Sequence, residues 1–296
     1  PPRDHPGPRR VDLAGPVRPQ QVQDAPAGSG LKYSYKFLVS TATTTGLGMY
    51  APFDFKMEGW QTVDFGWGSP IGASPAVCSF WFNASVTGSY AFAITSSQGD
   101  WNFVQSFQVV NAGVWEYKVI QIPPATSGTF TTDNTFTFSV RIAPQQDSGT
   151  GYRSASLGSW VSSPSYASTF AGATNISATA GAYIQVTGVQ LEKGLVSTPF
   201  ENRPYATELA LCQRYYYRLT GFSPLGIICA TQTTAGYITL QYPIIMRTAP
   251  RLGCNSSTPP PAVNTTITLS NGECQLYSAT PAAQTMGTIR LVGGST

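Results

Sequence analysis

The chain has 296 residues, 42% of them apolar and only 10% charged, with a formal net charge of +3. A usual globular chain is ~25% charged. Here Ser, Thr, Gly, Asn and Gln take that place, which points away from helical intracellular enzymes and toward extracellular β-sandwiches, capsid proteins and fibres. The 17 basic and 14 acidic side chains form no dense block, which argues against a phosphate-tracking surface and so against a nucleic-acid partner.

Residues 1–30 contain seven prolines. Proline lacks a donor N–H and has a fixed φ, so neither a helix nor a central strand is expected here. The segment reads as an extended, partly polyproline arm that ends in the flexible joint Ala27-Gly28-Ser29-Gly30. Two readings stay open. One is a solvated tail; the other is an anchor that orders against a neighbouring protein, with Pro1, Arg3, Arg9, Arg10 and Arg18 as its contact residues.

Residues 31–203 alternate with a period of two, the signature of strands with one face buried. Phe80 and Phe82 oppose Trp81 and Asn83, and Tyr90, Phe92 and Ile94 oppose Ala91 and Ala93. Further rows are Trp101/Phe103/Gln105/Phe107/Val109, Trp115/Tyr117/Val119 and Phe136/Phe138/Val140/Ile142. Turn residues separate them at Thr87-Gly88, Gln98-Gly99-Asp100, Asn111-Ala112-Gly113, Pro123-Pro124 and Ser127-Gly128. This spacing predicts an antiparallel β-sandwich or jelly roll, in which Phe80, Phe82, Trp81 and Trp115 are core. The Ser/Gly/Ala-rich stretch 144–181 reads as a long loop region over one rim.

Residues 204–219 predict one linking helix, with Thr207 as cap and Leu209, Cys212 and Tyr216 on a shared face. Residues 220–296 return to β, with short strands at 227–229, 237–240, 244–245, 266–269, 274–276 and 289–291. The fold class is therefore all-β: a sandwich, one helix and a small C-terminal β domain.

The five cysteines form no CxxC or Cys/His cluster, so neither a zinc site nor a dense disulfide framework is expected. Cys254 and Cys274 either pair or are buried as small apolar residues. No apolar run reaches ~18 residues and the N-terminus lacks an apolar core, so no membrane insertion and no signal peptide are read. The single histidine is His5, in the arm, and no GxSxG, HExxH or P-loop occurs. No catalysis, cofactor or metal is expected. Glycosidase chemistry needs only two carboxylates; Asp54, Glu58 and Asp64 lie beside Trp60 and Trp67 and are its candidates, with a solvated loop or strand edge as the simpler reading.

Several segments in a fixed order resemble a junction found in bacteriophage virion proteins of the tail-fibre type. They are Val114–Pro123 (VWEYKVIQIP), Gly181–Gly188 (GAYIQVTG), Val189–Gly194 (VQLEKG), Thr198–Tyr205 (TPFENRPY), Glu208–Arg218 (ELALCQRYYYR) and Tyr242–Pro250 (YPIIMRTAP). The resemblance covers about residues 75–251. It implies a jelly roll like a carbohydrate-binding module, followed by a helix and a small domain, on a virion assembled in the host cytoplasm. It also implies a homotrimer whose arm contacts other virion proteins. The function expected first is a tail-fibre or appendage component recognising host surface polysaccharide. A capsid decoration or head-fibre protein held by its arm comes second, and a glycan-degrading tailspike third. Sugar C–H faces stack on indole and phenol rings, so the candidate glycan contacts are the aromatics off the alternating rows: Trp60, Trp67, Tyr152, Trp160 and Tyr166.

Overall fold

The computed structural model describes residues 17–42, 53–143, 153–154, 156–162, 167–216, 228–229, 235–241, 243–247 and 286–292. The chain divides into two units, Pro1–Glu201 and Asn202–Thr296. The first is an antiparallel jelly-roll sandwich of two five-stranded sheets. One sheet contains β1 (Val17–Val22), β2 (Ser34–Val39), β4 (Ala76–Ala84), β7 (Glu116–Ile122) and β12 (Tyr183–Lys193), in the order β1-β2-β12-β4-β7. The other contains β3 (Phe53–Glu58), β5 (Gly88–Ser96), β6 (Trp101–Val109), β8 (Phe136–Ala143) and β10 (Trp160–Ser162), in the order β10-β6-β5-β8-β3.

Period-two alternation places one parity of each strand between the sheets. Phe80 and Phe82 of β4 meet Tyr90 and Phe92 of β5 and Phe107 of β6; the Phe80 and Phe92 rings stack at 6.1 Å, and Phe82 meets Phe107 edge-on at 5.0 Å. Ile122, Ile142 and Ile184 close the layer, all fully buried. Burying each such side chain contributes roughly 1.5–3 kcal/mol. The Tyr90 hydroxyl, carried into this core, donates to the Val86 carbonyl at 2.7 Å.

Four expectations are corrected. First, the arm stops short of residue 30. Val17–Val22 pairs antiparallel with β2 as the edge of its sheet, and Pro19 is tolerated there because an edge strand has a side that needs no donor. Second, the parity of β7 is the reverse of the one expected. Ile120 and Ile122 face inward, whereas Tyr117 and Val119 are 42% and 45% exposed. Third, Trp81 and Trp115 are half-buried rather than core; Trp81 sits on the outer face, register-paired with Tyr117.

Fourth, the described part of the segment after β8 carries short strands and covers part of a face as well as one end of the sandwich. β9 (Arg153–Ser154) and β11 (Thr169–Phe170) pair in parallel. Ala167, Phe170 and Ala173 pack on Ala91, Ala93 and Val104, covering that part of the outer face of the second sheet. The small alanines of β5 make room for this second layer.

In the second unit, α1 (Tyr205–Gln213) starts after Pro204 rather than at Thr207, whose N–H instead bonds the Pro204 carbonyl at 3.0 Å. Proline suits this boundary because its missing N–H is not needed there. Leu209, Cys212 and Tyr216 are all exposed, so the expected helical face buries nothing among the described residues. β13 (Ile228–Cys229), β14 (Ala235–Gln241) and β15 (Met286–Val292) form a three-stranded antiparallel sheet. Ile244–Ile245 is not a strand but an irregular segment after Pro243. The expected strands at 266–269 and 274–276 lie outside the described residues, as do Cys254 and Cys274.

Candidate functional site

The outer face of the first sheet is crossed by two stretches of chain. Residues 23–33, between β1 and β2, form an entry strap. Asp24 accepts from Gln185 Nε2 of β12 at 3.0 Å and from Trp115 Nε1 at 3.4 Å, and the Tyr33 carbonyl accepts from Thr187 Oγ1 at 2.8 Å. Gln185 also donates to Ser34 at 3.2 Å. These bonds satisfy polar groups that the strap would otherwise bury unpaired.

Residues 194–201, after β12, form an exit strap, and here the Val189-Gln190-Leu191-Glu192 run shows its purpose. Val189 and Leu191 pack against the core. Gln190 and Glu192 point outward and hold the Thr198-Pro199-Phe200-Glu201 run. Gln190 Nε2 donates to the Thr198 and Pro199 carbonyls at 3.3 and 3.4 Å, and its Oε1 accepts from the Glu201 N–H at 2.8 Å. The Glu192 carboxylate takes the Thr198 N–H at 3.0 Å and the Thr198 hydroxyl at 2.5 Å. Partial desolvation pushes the Glu192 carboxyl up, but the hydrogen bonds from Thr198 and Gln190 outweigh it and hold the group below its ordinary value. The motif is a clamp on the departing chain.

An open groove of about 430 Å³ is lined by Ser29 and Leu31 of the entry strap and Ser197–Phe200 of the exit strap. Its floor is Trp81 and Tyr117, with ring centroids 5.1 Å apart and planes inclined at 53°. Gly188 completes the floor. β12 bulges between Thr187 and Gln190, and Gly188 occupies the bulge with φ +62°. A Cβ there would lie 2.9 Å from Leu31 Cδ1 and 3.5 Å from Trp81 Cδ1. Only glycine adopts that conformation cheaply and leaves the space open.

The aromatics singled out from sequence are distributed differently. Trp67 is 8% exposed, donates to the Ser74 carbonyl at 2.8 Å, and meets Trp160 edge-on at 5.3 Å. Trp160 donates to the Pro123 carbonyl at 2.7 Å and contacts Phe103 and Phe130. This pair plugs one end of the sandwich. Trp60 is 52% exposed, and its indole N–H is bonded to the buried Glu58. Asp54 pairs with Arg141 at 3.5 Å, so that pair of carboxylates serves the second sheet and its flanking turn. Tyr152 and Tyr166 lie outside the described residues, as do Pro1, Arg3, Arg9 and Arg10. Arg18 stands opposite Leu38 in the β1–β2 ladder.

Trp81, Tyr117, Leu31 and Phe200 were missed as groove residues. Alternation reveals two faces but not which one is inside, and the aromatic weight of Trp115/Tyr117/Val119 argued for the wrong face. The usable signal was the competing row Ile120/Ile122. Cys78 is a free, fully buried thiol, raised in pKa by burial and secondarily by the Glu192 charge, and Cys212 is free and exposed. Among the described residues no group of three or more His, Cys, Asp or Glu is placed to hold a metal ion. Nor is any described helix long and apolar enough to cross a membrane.

No family model matches the chain, and no curated protein matches it. Among solved structures, an α-L-arabinofuranosidase with arabinose bound is similar in shape at a TM-score of 0.34 and 15% identity. The match covers 71% of this chain and 28% of the other. At that level the likeness carries no argument about activity.

Proposed function

We propose that this chain is a bacteriophage virion surface protein, an appendage component of the tail-fibre type that recognises glycans on the host surface without acting on them chemically. The observation that carries this reading is the groove. An aromatic floor of Trp81 and Tyr117 lies open between two straps pinned to a rigid sheet, the arrangement that suits a sugar ring. The clamp of Gln190 and Glu192 adds support. It gives a physical role to the segments in which the chain resembles phage virion proteins, since a jelly roll that passes on to a further unit must fix where the chain leaves. Single saccharide contacts are weak, and presentation of several copies, as in the homotrimer expected from the resemblance, multiplies them.

The test is binding of the fluorescently labelled full-length protein to a panel of bacterial strains, with and without periodate oxidation of their surface glycans. Binding that periodate abolishes supports the proposal. Binding that survives periodate, or no binding to any strain by a folded protein, sinks it. The capsid-decoration reading, in which the arm clamps neighbouring subunits, would then take its place.

A further inference from the structure

The groove also specifies what kind of saccharide it takes. Its lining is Ser29, Leu31, Trp81, Tyr117, Ser197, Thr198, Pro199 and Phe200, with no carboxylate, amine or guanidinium among them. The charged groups nearby are committed elsewhere. Glu192 is bound to Thr198 and Asp24 to Gln185 and Trp115, while Lys118 pairs with Glu116 at 2.5 Å. The residues flanking the lining in sequence, Lys32 and Glu201, are of opposite sign, so no net field favours an ionic ligand.

The polar groups that remain suit neutral hydroxyls. Among the described residues, the Trp81 indole N–H and the Tyr117 and Ser197 hydroxyls make no intramolecular hydrogen bond. An indole N–H only donates, whereas a hydroxyl both donates and accepts. That set matches sugar hydroxyls, which do both, and offers nothing that would neutralise a carboxylate or phosphate. The volume lies within the ordinary range for small-ligand sites, about 300–1,000 Å³, and the two inclined rings present apolar faces for stacking.

We infer, on the footing of the glycan-recognition reading above, that the groove binds an uncharged saccharide stacked on Trp81 and Tyr117. Uronates, sialic acids and phosphorylated sugars are poor ligands for it. Charge-neutral contact also makes binding insensitive to salt, because there is no ion pair to screen.

The experiment is a printed array of purified bacterial surface oligosaccharides, neutral and acidic, probed with the full-length protein at about 0.05 M and about 0.5 M NaCl. The variants are Tyr117→Ala and, as a control beside the second sheet and away from the groove, Leu157→Ala. Tyr117 is exposed, so its truncation leaves the core intact, and an unchanged near-UV circular dichroism spectrum verifies this. The expected result is neutral ligands, affinities within about twofold between the two salts, and a loss of about tenfold or more for Tyr117→Ala, with Leu157→Ala unchanged. Exclusive binding of acidic sugars, strong salt dependence, or full retention by Tyr117→Ala would overturn this inference while leaving glycan recognition standing. Displacement of bound sugar by a synthetic peptide of residues 1–16 would also overturn it, assigning the groove to the chain's own proline-rich segment. No array binding together with no periodate-sensitive cell binding would remove both readings.

Discussion

The two outer faces of the sandwich are built from the same kind of strand and end up differently. On the second sheet, Ala91 and Ala93 are small, and the chain lays Ala167, Phe170 and Ala173 over them until nothing is exposed. On the first sheet, Trp81 and Tyr117 stand too tall for such a cover. The straps there line a groove with the rings, which stay reachable. The lesson is that residue size on an outward face decides whether a sheet acquires a second layer or keeps a groove.

That contrast can be broken by mutation, with tryptophan fluorescence in urea as the readout, since all six tryptophans lie in the first unit. The largest effect is expected on the sealed face. Ala93→Leu forces extra volume into a filled layer and should cost about 1–3 kcal/mol; a neutral result would mean that the cover is loose. Next comes Gly188→Ala on the open face. A left-handed backbone with a Cβ costs roughly 1–2 kcal/mol, and the new methyl pushes on Leu31, so the urea midpoint and groove binding should fall together.

A smaller effect is expected at the clamp. Glu192 has its pKa lowered in the folded state, so its stabilisation is present above the ordinary carboxyl value and is lost as pH falls through the folded one. Glu192→Gln should therefore lower stability at pH 7 by less than about 1 kcal/mol, because the site is solvent-screened. It should also flatten the acid limb that begins as pH falls through the ordinary carboxyl range. Equal slopes for the two proteins would remove the carboxylate from the clamp. The smallest effect is expected at Val119→Ala, on the open face beside the groove, within about 0.5 kcal/mol. A cost like that of Ala93→Leu would show that this face is covered after all and erase the distinction between the two.

Much of the sandwich was legible from local pattern. The rows Tyr90/Phe92/Ile94 and Phe138/Val140/Ile142 are core as their alternation predicts; the turn at Gln98-Gly99-Asp100 falls between strands, and Thr87-Gly88 leads into β5. The helix lies within the expected 204–219, at Tyr205–Gln213. The site was less legible. Trp67 and Trp160 lie off the rows and so looked like loop aromatics, yet tertiary packing draws them together as a plug. Tyr117 lies on a row and so looked like core, yet its strand is turned the other way.

By itself the sequence determined the period of the strands, the places where the chain turns and the low charge. These are local properties, set by side-chain size, backbone preference and the two-residue repeat. Only the tertiary structure decided which parity of β7 faces in, that Pro19 sits in an edge strand, and that residues 29–31 and 197–200 meet beside Trp81 and Tyr117. Those outcomes depend on pairings between residues far apart in the chain, whose register is settled by the whole buried layer at once.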